Sequence, residues 1–592
     1  MSRRPSPTSP AKVIDWHDLP RGDGSRRARR LSTAKARRSW RGRRRDRLYV
    51  RRRIVVGLGA TLALVALAGA FVVLLPRPVV WSTDSAGRST VTTTEVVGGR
   101  PSSGADSQVA GAERYREPGW IADENAKEGT ASWQVGADPA VWSLISGFAD
   151  RTSVDLGDSF VLRVSTGAPT FRVEAYRMGF YAGLGGRLIW SSDTLTGVAQ
   201  PPAVVDESTG MAEAPWSPSL TVQTDVSWPP GQYMLKLLSA DGGANHVPIV
   251  VRDDQSHAAL VMMSAVTTWQ AYNEWGAANL YTGAGGPTDD ENRSRVVTFD
   301  RPYWNNGSGH FFGGEFELVN EIESLGLDVT YWTSVDLHQR PEALSNHRAL
   351  LSLGHDEYWS TAMRAGAESA RDHGVNLAFL GANAVYRRIR LEDSPLGPNR
   401  REVNYRSAAE DPLAGVDDEE VTTSWREPPD PRPESELIGD YYECNPVEAD
   451  MVVVDPEAWV FEGTGVTDGT VFPGLVGNEY DRVTPEAPTP ENIEVLAHSP
   501  VTCRGIASYA DMTYYTAPSG AGVFATGTLW WIRHLTQPCP DATVSADCQV
   551  RRITENVLRA FAEGPAGEQH PSVGNLEALG IHAGYVSPAP GG

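Results

Sequence analysis

The sequence predicts an all-β sandwich followed by an α/β domain, both behind an N-terminal transmembrane helix. Three patterns carry that expectation: one long uncharged run, then a set of short alternating runs, then apolar runs that alternate with amphipathic helices. The uncharged run, residues 54–75, reads IVVGLGATLALVALAGAFVVLL, and as a helix it would extend about 33 Å, enough for a bilayer core. A cleaved signal peptide has a shorter apolar core and a shorter basic start, and a soluble core helix is rarely apolar all round.

Charge gives this run a direction. The 592-residue chain has a net charge of −21, yet residues 1–53 hold nineteen basic and four acidic side chains, a net +15 that leaves −36 on the remainder. Arg41, Arg43, Arg44, Arg45, Arg47, Arg51, Arg52 and Arg53 abut the run, and positive charge stays on the cytoplasmic side. The expected location is therefore the cell membrane, single-pass, with residues 1–53 a disordered cytoplasmic tail and the later domains extracellular. Orientation and contact with anionic lipid account for the arginines, so no nucleic acid is expected. Cys444, Cys503, Cys539 and Cys548 all lie beyond the run, where disulfides form. The favoured pairing is Cys539 with Cys548, which closes a short loop, and Cys444 with Cys503.

Residues 76–128 are rich in Ser, Thr and Gly and read as a stalk. Over residues 129–253, short runs such as SFVLRVST, FRVEAYRMGF and QYMLKLLS are bounded by Gly and Pro, the pattern of an Ig-like β-sandwich. From residue 254 to 564, HAALVMMSAV, LDVTYWTSV, HRALLSLG and VNLAFLGAN read as strands, while GEFELVNEIESLG and TAMRAGAESARDHG read as helices. That alternation predicts a mostly parallel sheet of glutamine amidotransferase or flavodoxin type, with functional groups past the carboxyl ends of its strands. Residues 391–440 are charged and Pro-rich and read as a surface excursion, and residues 565–592 as a loosely ordered tail.

Polar clusters end these strands: TTWQAYNEW around Tyr272, TFDRPYWNN around Tyr303, LGHDEYWS from His355 to Ser360, and Asn383 in FLGANAV. A His and a Glu two residues apart are compatible with acid/base partners, metal ligands or a satisfied polar turn, and the residues alone leave these open. His310, His338, His347 and His355 match no compact zinc signature. Ser352 lacks the glycine of a nucleophile elbow, and YAGLGG lies among strands rather than opening a helix.

Over AYRMGFYAGLGGRLIW, TTWQAYNEWGAANLY, RPY, GLDVTYWTSVDLH, LGHDEYW and GANAVYRR, the chain resembles the large subunit of N,N-dimethylformamidase and its relatives. The resemblance implies a mononuclear iron (Fe3+) centre held by Tyr272, Tyr303 and Glu357, with His355 and Asn383 as neighbouring catalytic groups. Two phenolates and a carboxylate are an all-oxygen set suited to a hard cation. The implied activity is metal-dependent hydrolysis of an amide carbon–nitrogen bond, with His355 moving a proton and Asn383 donating to the carbonyl oxygen. The competing class is a non-catalytic envelope or carbohydrate-binding protein working through Trp275, Trp304, Trp332 and Trp359. The partners these readings imply are membrane lipid and a small-molecule amide or cell-envelope glycan, and a homo-oligomer is compatible with them.

Overall fold

The computed structural model describes residues 110–283, 291–535, 539 and 541–581, all within one compact unit. Period-two alternation builds its first half. Along Ser159–Thr166, Phe160, Leu162 and Val164 are buried on one face, while Ser159, Val161 and Ser165 on the other are half-buried. This strand sits between Ile145–Ala149 and Leu220–Gln223 in a three-stranded sheet. A six-stranded sheet runs Ser153–Asp155, Ala244–Arg252, Gly231–Ser239, Thr170–Met178, Gly186–Ser191, with Leu195–Thr196 joined to Thr170–Met178. Val173, Leu235, Leu237 and Val247 share a core with the three apolar residues of Ser159–Thr166.

The second half is organised by a seven-stranded sheet in the order Val329–Thr333, Leu260–Ser264, Ala349–Gly354, Asn376–Gly381, Gly522–Ala525, Ile506–Thr516, Glu494–Cys503. The first five strands are parallel, and the last two add an antiparallel edge. Its central strands are buried along their whole length, because both faces are covered. Val261, Met263, Leu377 and Phe379 point into a core with Met363, Ala367 and Ala370 of the helix Thr361–Asp372. The alternate residues Leu260, Met262, Ala378 and Leu380 join the core of the helices Phe316–Ser324 and Ala546–Glu563.

The structure corrects several expectations. Among the described residues no helix is long and apolar enough to cross a membrane. The longest described helix, Ala546–Glu563, carries Arg551, Arg552, Glu555 and Arg559 on its outer face, which lipid would not tolerate. The fold class with an N-terminal transmembrane helix and the single-pass membrane location are therefore not supported. The residues on which they rested, 54–75, lie outside the described residues, as does the basic tail. What the chain shows instead is a mixed α/β fold with many sheets and few helices. Tyr115, Trp120 and Ile121, read as stalk, are buried in short helices. The excursion at 391–440 contains the strand Gly397–Val403 and the fully buried Trp425, with the Arg364 and Arg388 guanidinium groups over its ring. The disulfides pair as expected, Cys444 with Cys503 and Cys539 with Cys548.

One buried ion pair ties the two halves together. Arg177, on Thr170–Met178, donates Nη1 to Glu323 Oε2 at 2.9 Å and Nη2 to Oε1 at 2.5 Å, and both side chains are 0 % exposed. Glu323 lies on Phe316–Ser324, where Tyr331 Oη and Asn125 Nδ2 also donate to it. Removing one member strands a desolvated charge. Glu323→Ala is expected to lower the urea-unfolding free energy by about 3–5 kcal/mol, whereas Arg177→Met with Glu323→Leu recovers much of that loss. Equal losses in the single and double variants would show that the pair does not lock the halves.

Candidate active site

Three neighbouring parallel strands deliver the polar groups to one edge of the central sheet. Leu260–Ser264 leads into the helix Val266–Ala271, whose C-cap is Tyr272. Ala349–Gly354 runs straight into His355, Asp356 and Glu357, and Asn376–Gly381 into Asn383. In a parallel sheet the strands' carboxyl ends lie side by side, so residues just past them meet. The approach is tight: a Cβ on Gly381 would lie 1.6 Å from the Gly354 carbonyl oxygen, so no side chain fits there.

Glu357 is the hub. Tyr272 Oη donates to its Oε2 at 2.7 Å, and Tyr281 Oη reaches Oε2 at 2.7 Å and Oε1 at 2.9 Å. The two phenol rings stack with centroids 4.2 Å apart. His355 Nε2 stands 3.4 Å from Glu357 Oε2 and 3.3 Å from Glu479 Oε2 but is aligned with neither, leaving this buried nitrogen without a formed hydrogen bond. Glu479, on Val471–Arg482, accepts from Asn383 Nδ2 at 2.9 Å and from Asn445 Nδ2 at 2.8 Å. Asn383 Oδ1 is buried and unpartnered, and Arg387 Nε lies 3.6 Å from Glu357 Oε1.

Charge and burial set the protonation states. Burial alone would raise the Glu357 carboxyl, but His355, Arg387 and the Tyr281 hydroxyl hold it down to about 2. Burial alone would lower His355, but the Glu479 and Glu357 carboxylates push it up to about 10. The Tyr272 and Tyr281 phenols are driven well above their ordinary value, first by burial and then by the Glu357 charge. The resting centre is thus a carboxylate beside an imidazolium and two protonated phenols.

Of the residues singled out from the sequence, the structure brings together Tyr272, His355, Glu357 and Asn383. Tyr303 sits elsewhere: its ring meets Trp269 edge-on at 6.0 Å, and it lines a pocket of about 430 Å³ with Arg301, Phe299 and Phe148. The second phenol on Glu357 is that of Tyr281, which lies within the TTWQAYNEWGAANLY motif. Asn279 was the signal for it, since its side chain accepts from the Tyr281 and Thr282 amides and turns the chain back. Glu479 had no comparable signal, because it comes from a strand more than a hundred residues away in sequence. Of the four tryptophans of the competing reading, Trp332 and Trp359 are core residues and Trp304 is exposed. His338 binds Ser360 Oγ and His347 the Ala258 carbonyl, and among the described residues no three His, Cys, Asp or Glu side chains group around a metal-sized space.

Beside His355 opens a pocket of about 450 Å³ lined by Trp269, His310, Glu315, Leu529 and Arg533. Burial and the charge on His355 depress His310 to about 4, keeping its ring neutral. Glu315 Oε1 accepts from Trp269 Nε1 at 3.0 Å and the Ala265 amide at 3.1 Å, while Oε2 is buried without a partner.

A carboxylate carrying two phenols and a histidine at the carboxyl edge of an open, mostly parallel sheet defines an α/β protein with its site at the strand ends. The chain belongs to the family described as N,N-dimethylformamidase beta subunit-like, C-terminal, which it matches over residues 172–542, more than half its length. No curated protein matches it.

Burial pushes the Glu315 carboxyl up to about 8 despite its hydrogen bonds, so the fold favours its protonated form. That contribution is complete below the ordinary value of 4.5 and is lost as pH rises through about 8. Urea unfolding followed from pH 5 to 9 is expected to show falling stability in the wild type, at a slope approaching about 1.4 kcal/mol per unit. In Glu315→Gln the slope flattens, and the variant becomes the more stable protein at the alkaline end. Parallel profiles for the two proteins would refute the assignment.

Proposed function

We propose that the chain hydrolyses an amide carbon–nitrogen bond at the Glu357 centre. One observation carries this reading: Tyr272 Oη, Tyr281 Oη and His355 Nε2 meet on Glu357 Oε2, at 2.7, 2.7 and 3.4 Å. Family membership supports the same class of chemistry. The two disulfides fit an oxidising compartment.

The residues present fit a mononuclear iron. Two phenol oxygens and a carboxylate sharing one buried point form an all-oxygen set suited to a hard cation, and only a highly charged ion would deprotonate phenols so strongly shifted upward. Tyr272, Tyr281 and Glu357 would hold it. When bound, it would polarise the amide carbonyl and lower the pKa of water.

The chain's own groups divide the remaining work. Water adds to the carbonyl carbon, the C–N bond breaks, and the products are a carboxylic acid and an amine. His355, whose Nε2 stands beside Glu357 and Glu479, is the proton donor to the departing nitrogen. Asn383 offers both a donor and an acceptor beside the centre. One Nδ2 hydrogen is given to Glu479, which leaves the second to donate and the free Oδ1 to accept from an amide N–H. Trp269 and Leu529 give the adjoining pocket its apolar wall.

Full-length protein prepared with iron is expected to bind it stoichiometrically and to show the visible absorption of ferric tyrosinate, and Glu357→Gln should lose both. His355→Gln should keep metal and colour while kcat on a simple amide falls by about 10²–10⁴. A colourless, iron-free protein that hydrolyses amides at the wild-type rate would sink the metal assignment. An iron-loaded protein inert toward amides would sink the activity.

A further inference from the structure

Around the same centre stand two guanidinium groups with too few carboxylates. Tyr281 has Tyr272 stacked on one face and the Arg406 guanidinium over its ring at 3.8 Å. Arg406 Nη2 lies 3.3 Å from Tyr358 Oη, and among the described residues Arg406 forms no ion pair, its Nε being buried and unpartnered. Arg387 stacks over Tyr386 at 4.5 Å, and its nearest carboxylate oxygen, Glu357 Oε1, is 3.6 Å from Nε, beyond hydrogen-bonding distance.

These cations are not folded away from the site. Arg387, Arg406, Tyr272, Tyr281, Tyr386 and Tyr442 are each partly exposed, so solvent reaches the groups around Glu357. Several other buried or half-buried arginines face a carboxylate directly: Arg177 with Glu323, Arg400 with Asp300, Arg426 with Glu434, Arg482 with Glu443. Arg406 is also one of the few non-glycine residues with a left-handed backbone, φ 60°, a conformation that persists only where the surroundings enforce it. Arg406, left without a carboxylate at a partly exposed position, with Arg387 sharing the single Glu357 charge beside it, is a fork presented to an external anion.

We propose that Arg387 and Arg406 read an anionic group on the substrate, so that the amide cleaved at Glu357 carries its own carboxylate. This rests on the amide-hydrolase reading for the reaction and adds the substrate class. The aromatic lining from Tyr281, Tyr386 and Tyr442 suits the short chain between the two groups. The bond broken and the proton donor are those already given; the arginines position the substrate and take no part in the chemistry.

The test compares two amides of similar size on the full-length, iron-loaded protein, succinamate with its carboxylate and neutral butyramide, by calorimetric titration and by turnover. Succinamate is expected to bind at least tenfold more tightly than butyramide, with an affinity that falls as sodium chloride rises. The preference should vanish in Arg387→Gln with Arg406→Gln and persist in part in Arg406→Lys, which keeps the charge; a thermal melt of each variant reports whether it is folded. Equal binding of the two amides, no binding of either, or a preference that survives loss of both arginines would overturn the inference. If both amides are hydrolysed and bound equally, it fails while the hydrolase reading stands. If the arginine-dependent preference persists without turnover, the hydrolase reading fails and the anion site stands.

Discussion

A carboxylate that is 2 % exposed cannot remain ionised without compensation, and the Glu357 side chain imposes that demand on everything near it. Desolvating such a group costs several kcal/mol even after the surroundings relax. The cost is offset by two phenol donors, a histidine and an arginine, drawn from three stretches of chain. Each partner's state follows from the same charge. Ionisation of the phenols is disfavoured beside it, and the imidazole's proton is favoured between Glu357 and Glu479. The chemistry available at this edge of the sheet therefore comes from one buried anion and the groups that satisfy it.

The same logic holds the scaffold that presents it. Arg177 and Glu323 are wholly buried partners across the junction between the β-sandwich and the parallel sheet. Arg400 does similar work from the strand Gly397–Val403, donating Nη2 to the Ala149 carbonyl at 2.9 Å and to the Phe299 carbonyl at 2.8 Å. Arginine suits these places because its planar fork satisfies several acceptors at once on a long apolar stem. The sandwich is thereby fixed against the element that carries Tyr303, and Phe148 and Ile249 line the pocket in which Tyr303 stands.

How much of this was legible in the sequence depends on range. Period-two runs and strand-then-helix rhythm are local signals, and they located the strands Leu260–Ser264, Ala349–Gly354 and Asn376–Gly381 whose ends carry Tyr272, Glu357 and Asn383. The disulfide pairing was readable from spacing because one loop is short. The second phenol was harder: Tyr281 and Tyr303 are both tyrosines in polar turns, and only the backbone path fixed by Asn279 distinguishes them. Glu479, Arg387 and Arg406 reach the centre from strands and loops far along the chain, where no periodicity marks them. Charge and Pro content misled at residues 391–440, because Arg400 and Arg426, largely buried against Asp300 and Glu434, look in sequence like a solvated face.

Strain shows how the centre is kept in place. Asn383, Val385 and Arg406 adopt φ of 58°, 54° and 60°, and for the β-branched Val385 that conformation is a genuine outlier. Each such residue costs about 1–3 kcal/mol and persists only where neighbouring bonds leave no alternative. Here the Asn383 amide is clamped by both oxygens of Asp481, at 2.8 and 3.0 Å, and the Val385 amide by the Asp356 carbonyl at 3.0 Å. Asp356 is in turn anchored by Ser352 Oγ on the central sheet. The chain from sheet to Asp356 to the strained turn to Asn383 holds the free Oδ1 of Asn383 in position before any substrate arrives. Substrate binding then need not supply the energy of ordering that turn, because the fold has already spent it.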